Sequence, residues 1–290
     1  TVETSAGTFG PVTSSSSGTW QWTTVSCSGT LTKITITRVG GANLSGIEID
    51  GILLVNSGIT PPNFPSIASQ VMASPESGFS IVEFTSATGT VGHGLNAAPH
   101  LIIAKRTDAA YEWATFWHDL GNNKAVVLDK TNAAYTYSNI WGSAMPTSSV
   151  FSFNTANIPS GGSGIAYCVA PVEGYSSVGS YVGNGNATPR RFVYLGFRPA
   201  FVLIKASSIS GKSWIICDYV RDGFNNNNDT LAADVLNTEN DVVPSANSIA
   251  ILSNGFQHLN DNSRLNQSGA TYIYYAVAEN PFQANGGLAR

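Results

Sequence analysis

Three blocks of this chain occur twice, in the same order. Gly78-Phe79-Ser80-Ile81-Val82 returns as Gly174-Tyr175-Ser176-Ser177-Val178. Pro99-His100-Leu101-Ile102-Ile103-Ala104-Lys105 returns as Pro199-Ala200-Phe201-Val202-Leu203-Ile204-Lys205. Ile165-Ala166-Tyr167-Cys168-Val169-Ala170 returns as Ile273-Tyr274-Tyr275-Ala276-Val277-Ala278. The spacing between copies lengthens along the chain, as in a duplication whose second copy gained loop residues. A period of roughly 20–50 residues marks a solenoid, whereas this one has the size of a whole domain. The sequence therefore predicts two homologous domains in tandem, module A over 78–173 and module B over 174–290. Such a chain favours an extended, modular protein over a compact enzyme built around one cleft.

Both modules read as strands. Module A offers short apolar runs at 79–84, 101–105, 114–117, 125–128, 150–153 and 164–170, and module B matches them at 177–181, 201–204, 214–217, 230–233, 249–252 and 272–278. Runs this short, separated by Gly, Asn and Ser clusters, predict an all-β chain of two β-sandwiches of the jelly-roll or concanavalin-like kind. Ahead of them, 1–56 alternates with period two at 31–37 and 47–49, and Asp50-Gly51 supplies the positive-φ pair of a tight hairpin. This segment is expected to be a small β unit, the end of a larger domain. Residues 57–77 carry Pro61, Pro62, Pro65 and Pro75, which prevent ladder pairing, so a semi-rigid linker is expected there, with a turn or two of helix at 66–72. The chain starts on Thr1, which suggests a piece of a longer polypeptide.

Composition narrows the partners. Only 11% of residues are charged while 42% are hydrophobic, against roughly 25% charged in an average domain. The net charge of −4 has no block behind it, and the longest basic run is Arg190-Arg191. That cannot track phosphates, so nucleic acid is not an expected partner. No apolar stretch is long enough for a membrane span. Cys27, Cys168 and Cys217 fall one per unit without metal or disulfide spacing, and read as buried small apolar side chains.

Reactive motifs are poorly supported. Gly211-Lys212-Ser213 lacks the upstream glycine of a phosphate loop, having Ala206 there, and precedes a strand instead of a helix. Gly162-Ser163-Gly164 lacks the spacing of a nucleophile elbow. His93, His100, His118 and His258 are scattered, and Ala200 replaces His100 in the second copy. Neither zinc nor a histidine-based nucleophilic site is expected, and no cofactor. Glu112 and Asp119, with Asp218 and Asp222 in module B, are the carboxylates a glycosidase would need to pair, and surface solvation accounts for them better. Asn43, Asn186, Asn228 and Asn266 open glycan-acceptor triplets, as chance allows in so Asn-rich a chain.

The aromatic residues are the better candidates. Trp113, Trp117 and His118 lie together, followed by Tyr135, Tyr137 and Trp141. Flat rings beside Asn and Asp make platforms for sugar rings. The competing reading places alternate members in the sandwich core. Module B keeps Trp214 but has Cys217-Asp218 against Trp117-His118 by alignment of the strands, so a sugar site would differ between copies.

Several motifs resemble a family of phage structural proteins familiar from marine and cyanobacterial phages. They are Thr90-Val91-Gly92-His93-Gly94-Leu95, Pro99 with its apolar strand and Lys105, Tyr167-Cys168-Val169-Ala170, and Gly179-Ser180-Tyr181-Val182-Gly183-Asn184-Gly185. The closing run Tyr272-Ile273-Tyr274-Tyr275-Ala276-Val277-Ala278-Glu279-Asn280-Pro281-Phe282 is the most specific piece, and Gly46–Val55 is similar to a strand pair that often precedes such modules. The resemblance implies a tail-fibre or head-fibre appendage on the virion surface, extracellular and non-enzymatic. It also implies homo-oligomers (trimers favoured), contacts with other virion proteins, and attachment to a host-surface glycan or protein. Two rivals follow from the residues alone: a lectin-like cell-surface or filament protein, and a polysaccharide-degrading tailspike.

Overall fold

The computed structural model describes residues 1–10, 25–35, 48–49, 52–53, 65–67, 69–85, 89–138, 140–153, 162–186, 188–221, 229–239, 243 and 248–280. The chain is all-β and divides into two compact units, Thr1–Asn56 and Ser57–Arg290. Among the described residues no helix is long and apolar enough to cross a membrane.

The first unit holds β1 (Val2–Thr4), β2 (Gly7–Phe9), β3 (Leu31–Ile34), β4 (Glu48–Ile49) and β5 (Ile52–Leu53). The first three form one antiparallel sheet in the order β2-β1-β3. β4 pairs with β5 in the register Glu48↔Leu53 and Ile49↔Ile52, as the Asp50-Gly51 signal predicts, although the two turn residues lie outside the described set. Cys27 is exposed here, contrary to the burial expected of it.

Module A contains β6 (Ser69–Ser74), β7 (Phe79–Thr85), β8 (Gly89–Gly92), β9 (Leu101–Arg106), β10 (Ala114–Trp117), β11 (Lys124–Val127), β12 (Tyr135–Thr136), β13 (Val150–Phe153) and β14 (Ser163–Val169). Seven of these make one sheet, in the order β12-β11-β10-β9-β14-β7-β6, and β13 pairs with β8 as a second layer. The expected linker is partly wrong: β6 lies inside it and pairs with β7 from Ser69↔Phe84 to Ser74↔Phe79, while Ile67 joins the core. Among the described residues of 66–72 no helical turn forms, because from Ser69 onward the backbone pairs in the ladder with β7. The core fills the gap between the layers with Val82, Phe84, Ile102, Ala104, Phe116, Trp141, Phe151 and Phe153 among others.

Module B repeats the plan with β15 (Ser176–Val182), β16 (Phe192–Tyr194), β17 (Pro199–Ala206), β18 (Ile215–Asp218), β19 (Leu231–Ala232), β20 (Ile249–Leu252), β21 (Gly255–His258) and β22 (Thr271–Ala278). Its main sheet runs β15-β22-β17-β18-β19, and β16-β21-β20 closes the sandwich. The core includes Tyr181, Val202, Ile204, Cys217, Phe256, Tyr272 and Tyr274.

In a sheet, alternate side chains take opposite faces. The face turned away from each sandwich core is apolar too, and here the modules meet. Leu101, Trp117, Val126 and Val169 of module A pack with Val178, Leu203, Trp214 and Ile273 of module B in a third cluster. Burying each large side chain there is worth about 1.5–3 kcal/mol. The Trp117 indole N–H donates to the Gly179 carbonyl at 3.2 Å, and the Trp214 indole N–H to the Val127 carbonyl at 2.9 Å. An added Cβ at Gly179 would come within 2.7 Å of the Tyr274 hydroxyl, so a larger residue there would displace that ring.

Candidate functional site: an open lysine cleft on module A

The ladders align the two modules residue by residue. Ala114 faces Ala104 and Val127, while Ile215 faces Ile204 and Ala232. Trp113 and Trp214, one position earlier, are therefore equivalent, and each is clamped alike. The Trp113 N–H donates to the Asp129 carboxylate at 3.1 Å, and the Trp214 N–H to Asp234 at 3.3 Å. The Trp113 carbonyl accepts from Leu128 N–H at 3.0 Å, and the Trp214 carbonyl from Ala233 N–H at 3.1 Å. The strand before each tryptophan carries, one residue from its end, a lysine that closes the following loop: Lys105 Nζ donates to the Tyr111 carbonyl, and Lys205 Nζ to the Lys212 carbonyl at 2.5 Å.

What surrounds this shared device differs. In module B it is covered by the 131–134 segment of module A. Lys205 Nζ donates to the Thr131 carbonyl at 3.2 Å and to Ala206 at 3.3 Å, the Lys212 N–H donates to the same Thr131 carbonyl at 3.1 Å, and Ala134 N–H donates to the Ser207 carbonyl at 2.8 Å. Lys205 is fully buried. Burial drives its amine down from 10.5 to about 8, opposed by the Asp234 carboxylate. Burial also raises the Asp234 carboxyl, and one of its oxygens has no hydrogen-bond partner.

In module A the same device lines an open cleft of about 510 Å³ formed by Lys105, Ala110, Tyr111, Glu112, Ala114, Val127, Asp129, Lys130 and Tyr135. The charges are balanced. Lys130 pairs with Glu112 at 2.9 Å, which raises the amine, and Arg106 pairs with Asp108 at 2.5 Å, which lowers the exposed carboxyl. Beside the cleft the outer sheet face carries a row of near-parallel rings. Phe79 stacks with Tyr167 at 6.5 Å and Tyr167 with Trp113 at 6.4 Å, and Lys105 Nζ sits 5.5 Å from the Trp113 ring centroid. A flat aromatic row with hydrogen-bond donors at its end can hold either a sugar ring or another sheet face.

The six aromatic candidates do not converge. Trp117 and Trp141 are each 1% exposed and cannot serve as a platform. Trp117 lies between the modules, 5.9 Å from the Trp214 ring, and Trp141 fills the module A core with its indole N–H on the Lys124 carbonyl at 3.0 Å. Big rings contribute most to stability when fully buried, and both positions offer that. Trp113 is half-buried in the ring row, Tyr135 lines the cleft, and Tyr137 is exposed. His118 is exposed at the β10–β11 turn, stacked on His100 at 4.2 Å, with Asp119 3.4 Å from its Nδ1. Burial, then the neighbouring His118 charge, lowers His100.

Lys105, Tyr111, Phe79 and Tyr167 were not among the candidates. The Lys105/Lys205 repeat was the one sequence signal that pointed to them. The carboxylates find cations instead of one another: Glu112 takes Lys130, and Asp218 takes Arg221 at 2.6 Å. Asp222 lies outside the described residues. Among the described residues no group of three or more His, Cys, Asp or Glu side chains could hold a metal ion. Asn266 is buried and hydrogen-bonded to Asn184, Asn186 and Asn260, so it is no glycan acceptor.

The fold and this surface define a protein of two β-sandwich modules with matching strand pairing, packed through their outer sheet faces. Residues 56–281 match the family described as a domain of unknown function (DUF7483), and the chain belongs to that family. No curated protein matches it, and neither does any solved structure.

Proposed function

We propose that the chain is a non-enzymatic structural protein of a virion appendage, a tail or head fibre, on the virion surface. The observation that carries this reading is the use made of its most distinctive side chains. Trp117, Trp214 and Lys205 fasten one module to the other through buried rings and backbone hydrogen bonds. A duplicated sandwich joined in this way holds shape and presents area, which suits an appendage. The motif resemblance to phage structural proteins points the same way. Attachment to a host glycan then falls to the rings left exposed at the β10–β11 turn end of module A, Tyr137 and His118.

Antibody against residues 57–290 tests the location. Decoration of a fixed appendage on purified phage particles is expected. Labelling of cell envelopes alone would overturn the assignment in favour of a lectin-like surface protein. New reducing ends after incubation with envelope polysaccharide would favour a degrading spike. On a glycan array, Tyr137→Ala should weaken any signal, and an unchanged signal removes that ring from the account.

A further inference from the structure

Module A covers the lysine device of module B with its own 131–134 segment, yet its own device is open. The reverse holds for the covering segment. Val127 and Ala232 are equivalent by their ladders, so Asp129 corresponds to Asp234 and the 131–134 segment to 236–239. In module B that segment is exposed throughout, and Leu236 is fully exposed. Near it Leu231 is 38% and Val220 76% exposed, both large apolar side chains. One chain thus carries an uncovered receiving surface on module A and an uncovered covering segment on module B.

We infer that copies of this chain associate head to tail, with the 236–239 segment of one copy seated in the Lys105 cleft of the next. The contact continues, between molecules, the interface that already joins A to B within one. The receiving groups are in register. Lys105, Tyr111 and Thr107 stand where Lys205, Lys212 and Ser207 stand in module B; Thr107 N–H bonds Ser163 and Ser207 N–H bonds Thr271, both at 2.9 Å. The Leu236 carbonyl takes the place of Thr131, accepting from Lys105 Nζ and the Tyr111 N–H, and the Glu239 N–H donates to the Thr107 carbonyl as Ala134 does to Ser207. Among the described residues, no backbone hydrogen bond engages the Tyr111 N–H or the Thr107 carbonyl. The ring row of Phe79, Tyr167 and Trp113 then receives apolar side chains around Leu231. A second copy fits better than a sugar because every receiving group has a counterpart already occupied by polypeptide. The interface joins different surfaces, so it is heterologous and builds rings or filaments. The inference goes beyond the virion assignment, since it concerns only how copies meet.

Sedimentation of the full chain over a concentration series tests it, with Lys105→Glu disabling the receiving side and Leu236→Asp the covering side. The wild type is expected to gain mass with concentration, and each variant alone to associate at least about tenfold more weakly. Mixing the two variants should restore one intact contact and yield a one-to-one heterodimer, the signature of a head-to-tail interface. Leu236 is fully exposed, so its variant folds, and an unchanged circular dichroism spectrum verifies this for both. A wild type that stays monomeric overturns the inference, as does association unaffected by either variant, or a mixture that fails to form heterodimers. A monomer whose cleft binds oligosaccharide, with binding lost in Lys105→Glu, would assign the cleft to glycan instead.

Discussion

Trp113 and Trp214 occupy one position of the repeat, so replacing each by alanine compares the same deletion in two surroundings. Trp214 is fully buried between the modules, and its indole N–H is bound to the Val127 carbonyl. Trp214→Ala removes that packing, opens a cavity beside Leu203 and Val126, and takes one of two donors from the Val127 carbonyl, which keeps the Lys130 N–H at 3.3 Å. Large-to-small changes of this kind cost about 3–5 kcal/mol. For a unit of this size that lowers the melting midpoint by about 6–20 °C, taking roughly 2–4 °C per kcal/mol. Trp113 is half-buried and loses one stacked contact with Tyr167, worth about 0.5–1.5 kcal/mol, and one exposed lysine contact worth about 0.5–1 kcal/mol. Trp113→Ala should therefore cost about 1–2.5 kcal/mol. The assay is guanidinium or thermal unfolding followed by circular dichroism, with the variants side by side at low protein concentration. Equal losses, or a larger one for Trp113, would refute the asymmetric packing of the modules.

Two further outcomes follow from buried titratable groups. Lys205 has a folded pKa of about 8 against an ordinary 10.5. Between those values the unfolded chain binds more protons, so stability should rise with pH, by about 2 kcal/mol between pH 8 and about 9.5. The rise is present in the wild type and absent in Lys205→Met. Readings stay below pH 10, because Tyr181, Tyr272, Tyr274 and Tyr275 are all raised by burial and reverse the trend above it. A flat wild-type profile would contradict this assignment. Burial pushes the thiols of Cys168 and Cys217 up to about 12, while Cys27 is exposed. A native Ellman titration should find one fast thiol per chain and the other two only after denaturation; three fast thiols would count against the described cores.

The repeat and the strands were legible because period-two alternation and turn residues are local signals. The face each aromatic ring takes was not. All four residues of β10 are buried, one face in the module A core and the other under module B, so no alternation remains to separate core from interface. Trp117 and Trp113 therefore looked alike in sequence although one is enclosed by module B and the other is half-buried. The sequence sets Trp117 against Cys217, whereas the ladders pair Trp117 with Leu101 as they pair Asp218 with Phe201, so its counterpart lies one residue further on. The edge strand β6 was missed for the opposite reason. It is almost wholly exposed, so its residues show no buried face, and only its ladder with β7 defines it. The cleft was invisible because its identity depends on what covers the same groups in the second module, which is a property of packing.

Indole hydrogen exchange followed by NMR tests the central claim, that the modules are zipped through their outer sheet faces, most directly. Trp117 and Trp214 donate their indole N–H groups across that interface, and Trp141 donates within the module A core. All three should exchange slowly, with Trp117 and Trp214 released together when the modules separate, while Trp113 exchanges fast. Indoles of Trp117 and Trp214 that exchange as quickly as that of Trp113 would contradict the account.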